Sequence, residues 1–244
     1  MIRSCLLLAV IFSSTLQLSF GQVPPFAVAE LFTSEGCSSC PPAETLFSEL
    51  KKDAEKNGQR VYFLEYHVDY WNRLGWKDPF SKNQFTLRQE NYSRVLPGKE
   101  LYTPQLVVNG AVQVTGSDRA AAKDALGKAL QAPSRGKIAI VSYQALNDTL
   151  EITYRSDMND KNVSVKFAIT EDGLSSEVLK GENEGKKLKH DAVVRIFYST
   201  QSADANGTVR IPLKGFHPSP GMKLIAFVQE KKSMKIRAAT SRDF

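Results

Sequence analysis

The sequence predicts an α/β domain followed by an all-β, sandwich-like domain, and three observations predict it. Strand and helix signals alternate up to about residue 132, in the order β-α-β-α-β-β-α. Pro133-Ser134-Arg135-Gly136 then reads as a linker. Beyond it, eight strand-like stretches follow one another with turns and no helix between them. The 244 residues, 42% hydrophobic and 24% charged, are enough for one large domain or two small ones and exclude a disordered or fibrous chain.

The elements follow in order. Phe26 to Phe32 is a short apolar run suited to a buried strand, and Thr33 to Cys40 is turn-rich. A helix is expected from Pro41 to Asn57, since Leu46, Phe47 and Leu50 recur at helical spacing and Asn57-Gly58 ends it. Val61 to Val68 is a second strand, and a second helix is expected from Pro79 to about Arg94. Two β-rich stretches between Tyr102 and Val114 flank Asn109-Gly110, a strong hairpin signal because both turn positions want positive φ. Ser117 or Asp118 caps a helix running to about Gln131. The later strands are expected at 137–144, 149–155, 164–170, 176–180, 193–200, 208–213, 223–229 and 236–240.

The first residues read as an export signal. Arg3 is the positive start, Leu6 to Phe12 the apolar run, and the small residues Ser19 and Gly21 suit cleavage before Gln22. The expected parts are therefore a signal at 1–21, an α/β domain at 22–132 and a β domain at 137–244, in a periplasmic or secreted protein. No later stretch is long enough to span a membrane. The net charge of +6 is spread along the chain, whereas nucleic-acid binding needs it gathered on one face. The densest basic run, Lys186-Lys187-Leu188-Lys189-His190, reads as a solvated loop.

Cys5 leaves with the signal, so one C-x-x-C pair, Cys37 and Cys40, remains where disulfides persist. A bridge closing so small a loop stabilises a fold little, which points to chemistry. The pair lies between a strand and a helix, where unpaired N–H groups and the macrodipole favour a thiolate. Cys37 is expected as the exposed attacking sulfur and Cys40 as the resolving one, with Ser38 and Ser39 as further hydrogen-bond donors. Glu35 opposes the thiolate, and Pro41 and Pro42 remove two donors, so the Cys37 pKa is expected to fall only moderately. Tyr70 and Trp71 are the better candidates for a groove beside the thiols; Tyr66 and Trp76 serve there or pack the crossover. Ser117 and Asp118 hold a glutathione carboxylate or simply cap their helix.

With Thr103-Pro104 opening a strand, residues 26–131 resemble a thioredoxin-like domain, and the stretch Thr103 to Gly110 through Gly116-Ser117-Asp118 resembles the glutaredoxin branch. The whole chain resembles an uncharacterised family of exported bacterial proteins, a domain-of-unknown-function family with a thioredoxin-like core. The matching pieces are Glu30 to Glu44, His67-Val68-Asp69-Tyr70-Trp71, Gly75 to Phe80, Arg88-Gln89, Tyr102-Thr103-Pro104-Gln105, Gly181 to Gly185 and His190 to Arg195. The resemblance implies a cis Pro104 facing the disulfide and a Thr103 backbone that orients substrate. It also implies a buried carboxylate, Glu30, that takes the proton of the resolving thiol. Gly36 in place of a Trp, Ser-Ser between the thiols and a long crossover at Asp69–Arg94 depart from that pattern.

The expected function is thiol–disulfide exchange on an exported protein or a small thiol, with an unknown redox partner and no cofactor. The alternatives are a non-catalytic binding protein with a structural disulfide, and copper or zinc capture by the thiols with His67, His190 or His217.

Overall fold

The apolar run near the start forms β1 (Ala27–Thr33), buried along its whole length. In this computed structural model residues 23–201 and 203–244 are described, so the expected export signal and Cys5 lie outside the described residues. Helix α1 (Pro41–Lys56) has Cys40 at its N-cap and prolines at its first two positions, where a missing N–H costs no intrahelical bond. It lays Ala43, Leu46, Phe47 and Leu50 on the sheet. Strand β2 (Val61–His67) pairs parallel to β1, with Thr33 opposite His67.

Helix α2 (Asn83–Ser93) starts four residues later than the sequence suggests. The Asp78 carboxylate accepts the Phe80 N–H, and the Ser81 N–H bonds back to the Asp78 carbonyl, so the chain turns here before the helix begins. Strands β3 (Gln105–Val108) and β4 (Val112–Thr115) form the expected hairpin, with φ of 50° at Asn109 and 60° at Gly110. Asp118 caps α3 (Arg119–Gln131) by accepting the Ala121 N–H.

The second half departs from expectation. Its strands are β5 (Ile138–Leu146), β6 (Thr149–Ser156), β7 (Val163–Glu171), β8 (Leu174–Glu177), β9 (Lys187–His190), β10 (Val193–Ser199), β11 (Asn206–Pro212), β12 (Lys223–Glu230) and β13 (Ile236–Asp243). An α/β thioredoxin-like domain followed by a separate β-sandwich is not what forms. One mixed eight-stranded sheet, in the order β13-β12-β7-β10-β2-β1-β3-β4, runs through both halves, and the described residues are mostly β with three α-helices. The join is β10 beside β2, parallel, with Val193 opposite Glu65 and the Glu65 N–H on the Ala192 carbonyl. The reason is an open edge: pairing β1 with β3 leaves the far side of β2 unpaired, and β10 satisfies it.

Burial records this placement. Strands β7 and β12 are buried almost continuously, as strands covered on both faces are. The small sheet β11-β6-β5 packs on one of those faces through Ile138, Ile152, Tyr154, Phe167 and Leu224. Strand β9 falls in the run expected as a solvated loop. Its residues alternate: Lys187 and Lys189 point to water, Leu188 and His190 inward. It pairs with β8 in a two-stranded hairpin of its own.

Candidate functional site

Cys37 and Cys40 are joined by a disulfide in the turn between β1 and α1. Cys37 Sγ lies 3.8 Å from the Thr103 carbonyl, and the Thr103-Pro104 peptide is cis. Ser39 Oγ is 3.3 Å from Cys37 Sγ and 3.4 Å from Thr103 O, so its hydroxyl can serve either. Trp71 Nε1 donates to Thr103 Oγ1 at 2.8 Å, and its ring packs 6.3 Å from that of Tyr70. A side chain at Gly36 would crowd Trp71, its Cβ only 3.2 Å from that of Trp71, so glycine lets the indole approach. Cys37, Cys40, Ser38, Ser39, Tyr70, Trp71, Thr103 and Pro104 thus gather in one place.

Accessibility corrects the expectation of an exposed sulfur. Cys37 and Cys40 are both 0% exposed, while Ser38 and Ser39 face solvent. The cover comes from the loop joining β8 to β9. The buried Asn183 side chain donates to the carbonyls of Glu35 and Cys37, each at 2.9 Å, and Glu182 accepts the Ser38 N–H at 2.9 Å. Lys186 Nζ holds Asn183 Oδ1 from behind. A strand pair contributed by the second half therefore clasps the C-x-x-C turn.

Behind the disulfide lies a buried cluster of Glu35, Glu44, Glu65, His67, Asp78 and His190. His67 bonds Asp78 through Nδ1 (2.7 Å) and Glu65 through Nε2 (2.9 Å). His190 Nε2 meets Glu35 at 3.0 Å, and its Nδ1 lies 3.2 Å from Glu65 and 3.5 Å from Glu44. Glu35 also accepts from Trp76 Nε1 and the Ser176 hydroxyl, so its charge is engaged by β8 and β9 and turned from the thiols. Asp78 accepts the backbone N–H groups of Glu35 and Phe80. The Phe80 ring packs edge-on against both imidazoles.

Burial and the facing charges together set the proton affinities of five groups here. Burial pushes Glu44 up to about 7, with the Glu65 charge adding to the rise. Burial opposes a charged His190, but Glu35 and Glu65 outweigh it and hold the imidazole at about 9. His67 is likewise held well above the ordinary histidine range, by Asp78 and Glu65 against desolvation. Asp78 and Glu65 stay below the usual carboxylate range because the histidines overcome burial.

Glu30 is drawn into a different buried group. Arg88 Nε donates to it at 2.7 Å, Tyr92 donates through its hydroxyl, and Gln229 completes the set. Arg88 occupies the carboxylate assigned to proton transfer. Glu44, in the first turn of α1, is buried four residues beyond Cys40 and accepts from the Thr33 hydroxyl at 2.5 Å. Tyr66 packs in the core, stacked on Phe32. His217 is absent from the cluster, and Asp118 caps its helix. Glu65 was not singled out in the sequence as a site residue, and Asp78, Glu182 and Asn183 lie in pieces that carried the family resemblance without a role assigned to them. The alternation Lys187-Leu188-Lys189-His190, read there as a solvated loop, is a signal that could have placed His190 inward.

A family model described as "Protein of unknown function (DUF1223)" matches residues 28–229. No curated protein matches. Among solved structures the chain is similar to protein AGR_C_4864 from Agrobacterium tumefaciens, 27% identical over 91% of this chain and 95% of that one, with a TM-score of 0.64. That likeness extends across both halves of the chain, as the continuous sheet does. A domain of the outer membrane lipoprotein Omp28 from Porphyromonas gingivalis shows 15% identity over 46% of this chain and 96% of that one, with a TM-score of 0.24. A β-glucuronidase from Ruminococcus gnavus shows 6% identity over 46% and 16%, with a TM-score of 0.23. Likenesses at the last two scores carry no argument.

Proposed function

The chain belongs to the DUF1223 family, and for it we propose thiol–disulfide exchange at Cys37–Cys40, acting on exported proteins or small thiols. The observation that carries this reading is the approach of Cys37 Sγ to the Thr103 carbonyl, beside the exposed Ser38 and Ser39. A substrate thiolate attacks Cys37 Sγ, the Cys37–Cys40 bond breaks, and its electron pair leaves on Cys40 as a thiolate. A second substrate thiolate then attacks the substrate sulfur of the mixed disulfide and releases Cys37. The substrate dithiol is oxidised by two electrons and the protein pair reduced; a partner disulfide resets it. In reverse, the reduced pair reduces a substrate disulfide. Ser39 is placed to donate to the Cys37 thiolate, and Tyr70 and Trp71 supply the apolar wall. No helix among the described residues is long and apolar enough to cross a membrane.

Equilibration with a glutathione redox buffer tests the proposal. A potential near the glutathione range supports it, and one far below about −300 mV marks a structural bridge. The Cys40→Ser variant should accumulate a mixed disulfide through Cys37, and Cys37→Ser should abolish exchange. Complete burial of both sulfurs favours the second reading, a binding protein whose disulfide is structural. Under that reading, loosening the β8–β9 clasp exposes no exchange activity.

A further inference from the structure

We propose that His67, His190, Glu65 and Glu44 form a divalent-metal site of the zinc type, buried beneath the β8–β9 hairpin and built without the two cysteines. Hydrogen positions come first. Asp78, an acceptor already holding two backbone N–H groups, faces His67 Nδ1, so that nitrogen carries the proton and Nε2 keeps a lone pair. Glu35, held by Trp76 and Ser176, does the same to His190 through Nε2 and leaves the lone pair on Nδ1. Both free nitrogens lie near one oxygen, Glu65 Oε1, at 2.9 and 3.2 Å, and only the His67 contact is a hydrogen bond. Lone pairs brought this close in a buried interior call for a cation, either protons or a metal.

The spacing fits a metal. Bonds of about 2.0–2.1 Å in a tetrahedral zinc site put ligand atoms about 3.3 Å apart. Three of the separations here are 2.9, 3.2 and 3.5 Å, the last between His190 Nδ1 and Glu44 Oε2, and the ligand atoms of Glu65, His67 and His190 all lie within 4.8 Å of one another. Two polar atoms in the group, Glu65 Oε2 and His190 Nδ1, are buried without a hydrogen-bond partner, on side chains 0% and 1% exposed. Among the described residues no Lys or Arg pairs with Glu35, Glu44, Glu65 or Asp78. Two neutral imidazoles with the Glu65 and Glu44 carboxylates balance one divalent cation among its own ligands, and Glu35 and Asp78 add two further carboxyl groups behind the imidazoles. Asp78 and Glu35 behind the imidazoles are the outer carboxylates that orient metal-bound histidines. Imidazole with carboxylate suits zinc and its neighbours in the first transition row.

The full chain, oxidised and stripped with a chelator, is titrated with Zn(II) by calorimetry and with Co(II) by visible absorption. One equivalent of each should bind, the cobalt form showing the intense d–d bands of four-coordinate nitrogen and oxygen ligation. Glu65→Gln and His190→Gln should each weaken binding at least 100-fold, and Glu35→Gln about 10- to 100-fold. The Cys37→Ser/Cys40→Ser double variant should bind as the parent does, which keeps this result separate from the exchange activity. The proposal is overturned if the parent takes up no stoichiometric metal, if binding survives both Glu65→Gln and His190→Gln, or if the double cysteine variant loses it. Where the ligand variants do not fold, the parent cobalt spectrum decides. Four-coordinate nitrogen and oxygen bands uphold the site, and thiolate charge transfer or a weak octahedral spectrum overturns it.

Discussion

The clasp over the disulfide makes a quantitative claim about access, and Asn183→Ala tests it. Asn183 is buried and ties the β8–β9 loop to the C-x-x-C turn through two bonds of 2.9 Å, to Glu35 O and Cys37 O. Cys37 O keeps the Cys40 N–H as a donor. A neutral hydrogen bond contributes about 0.5–1.5 kcal/mol net, so losing two lowers the cost of opening by about 1–3 kcal/mol. If the loop must open before a thiol reaches Cys37, and opening is fast relative to attack, the reduction rate follows the open population. At about 1.4 kcal/mol per tenfold, Asn183→Ala should be reduced roughly 5- to 150-fold faster. The assay quenches with an alkylating agent at timed intervals and counts modified cysteines by mass, over several dithiol concentrations. Urea unfolding of the same variant provides the control. An unchanged rate would mean that thiols reach the sulfurs without moving the hairpin. A reduction rate that rises with urea as steeply as global unfolding does would mean that reduction proceeds through unfolding. Either result refutes the gating argument.

Other outcomes follow from the buried groups. Arg88→Met strands Glu30 without its 2.7 Å partner and should cost about 3–5 kcal/mol in urea unfolding, with much of the loss recovered by adding Glu30→Gln. His190 is raised from 6.5 to about 9 and Glu44 from 4.5 to about 7, so the fold binds both protons more tightly than the unfolded chain does. Their contributions are complete below the unfolded values and are lost as pH rises. The metal-free protein should therefore lose stability between pH 4.5 and 9, and His190→Gln should flatten the upper part of a melting profile. Gly110→Ala places a Cβ 2.0 Å from the Met234 carbonyl at a φ of +60°, and should lower stability by about 3 kcal/mol or more in a denaturant titration.

Local chemistry decided a good deal in advance. Asn109-Gly110 dictated its hairpin because both positions need positive φ. Asp118 capped its helix, and Pro41-Pro42 opened α1 behind Cys40. These outcomes depend on neighbours within a few positions, and such signals are present in the chain itself. The bringing together of Cys37 and Thr103, 66 positions apart, was legible only through a resemblance.

Which strand fills the open edge of β2 is set by competition among all edges, and no periodicity in β10 encodes it. That choice alone turned two expected domains into one continuous sheet. It brought the β8–β9 hairpin over the cysteines and carried His190 across 155 positions to Glu35. Burial and the charges enclosed with it then moved the proton affinities of Glu44, Glu65, His67, Asp78 and His190, because both depend on everything packed around a group. The residue types came with the chain, and their shared, buried enclosure came only with the tertiary fold.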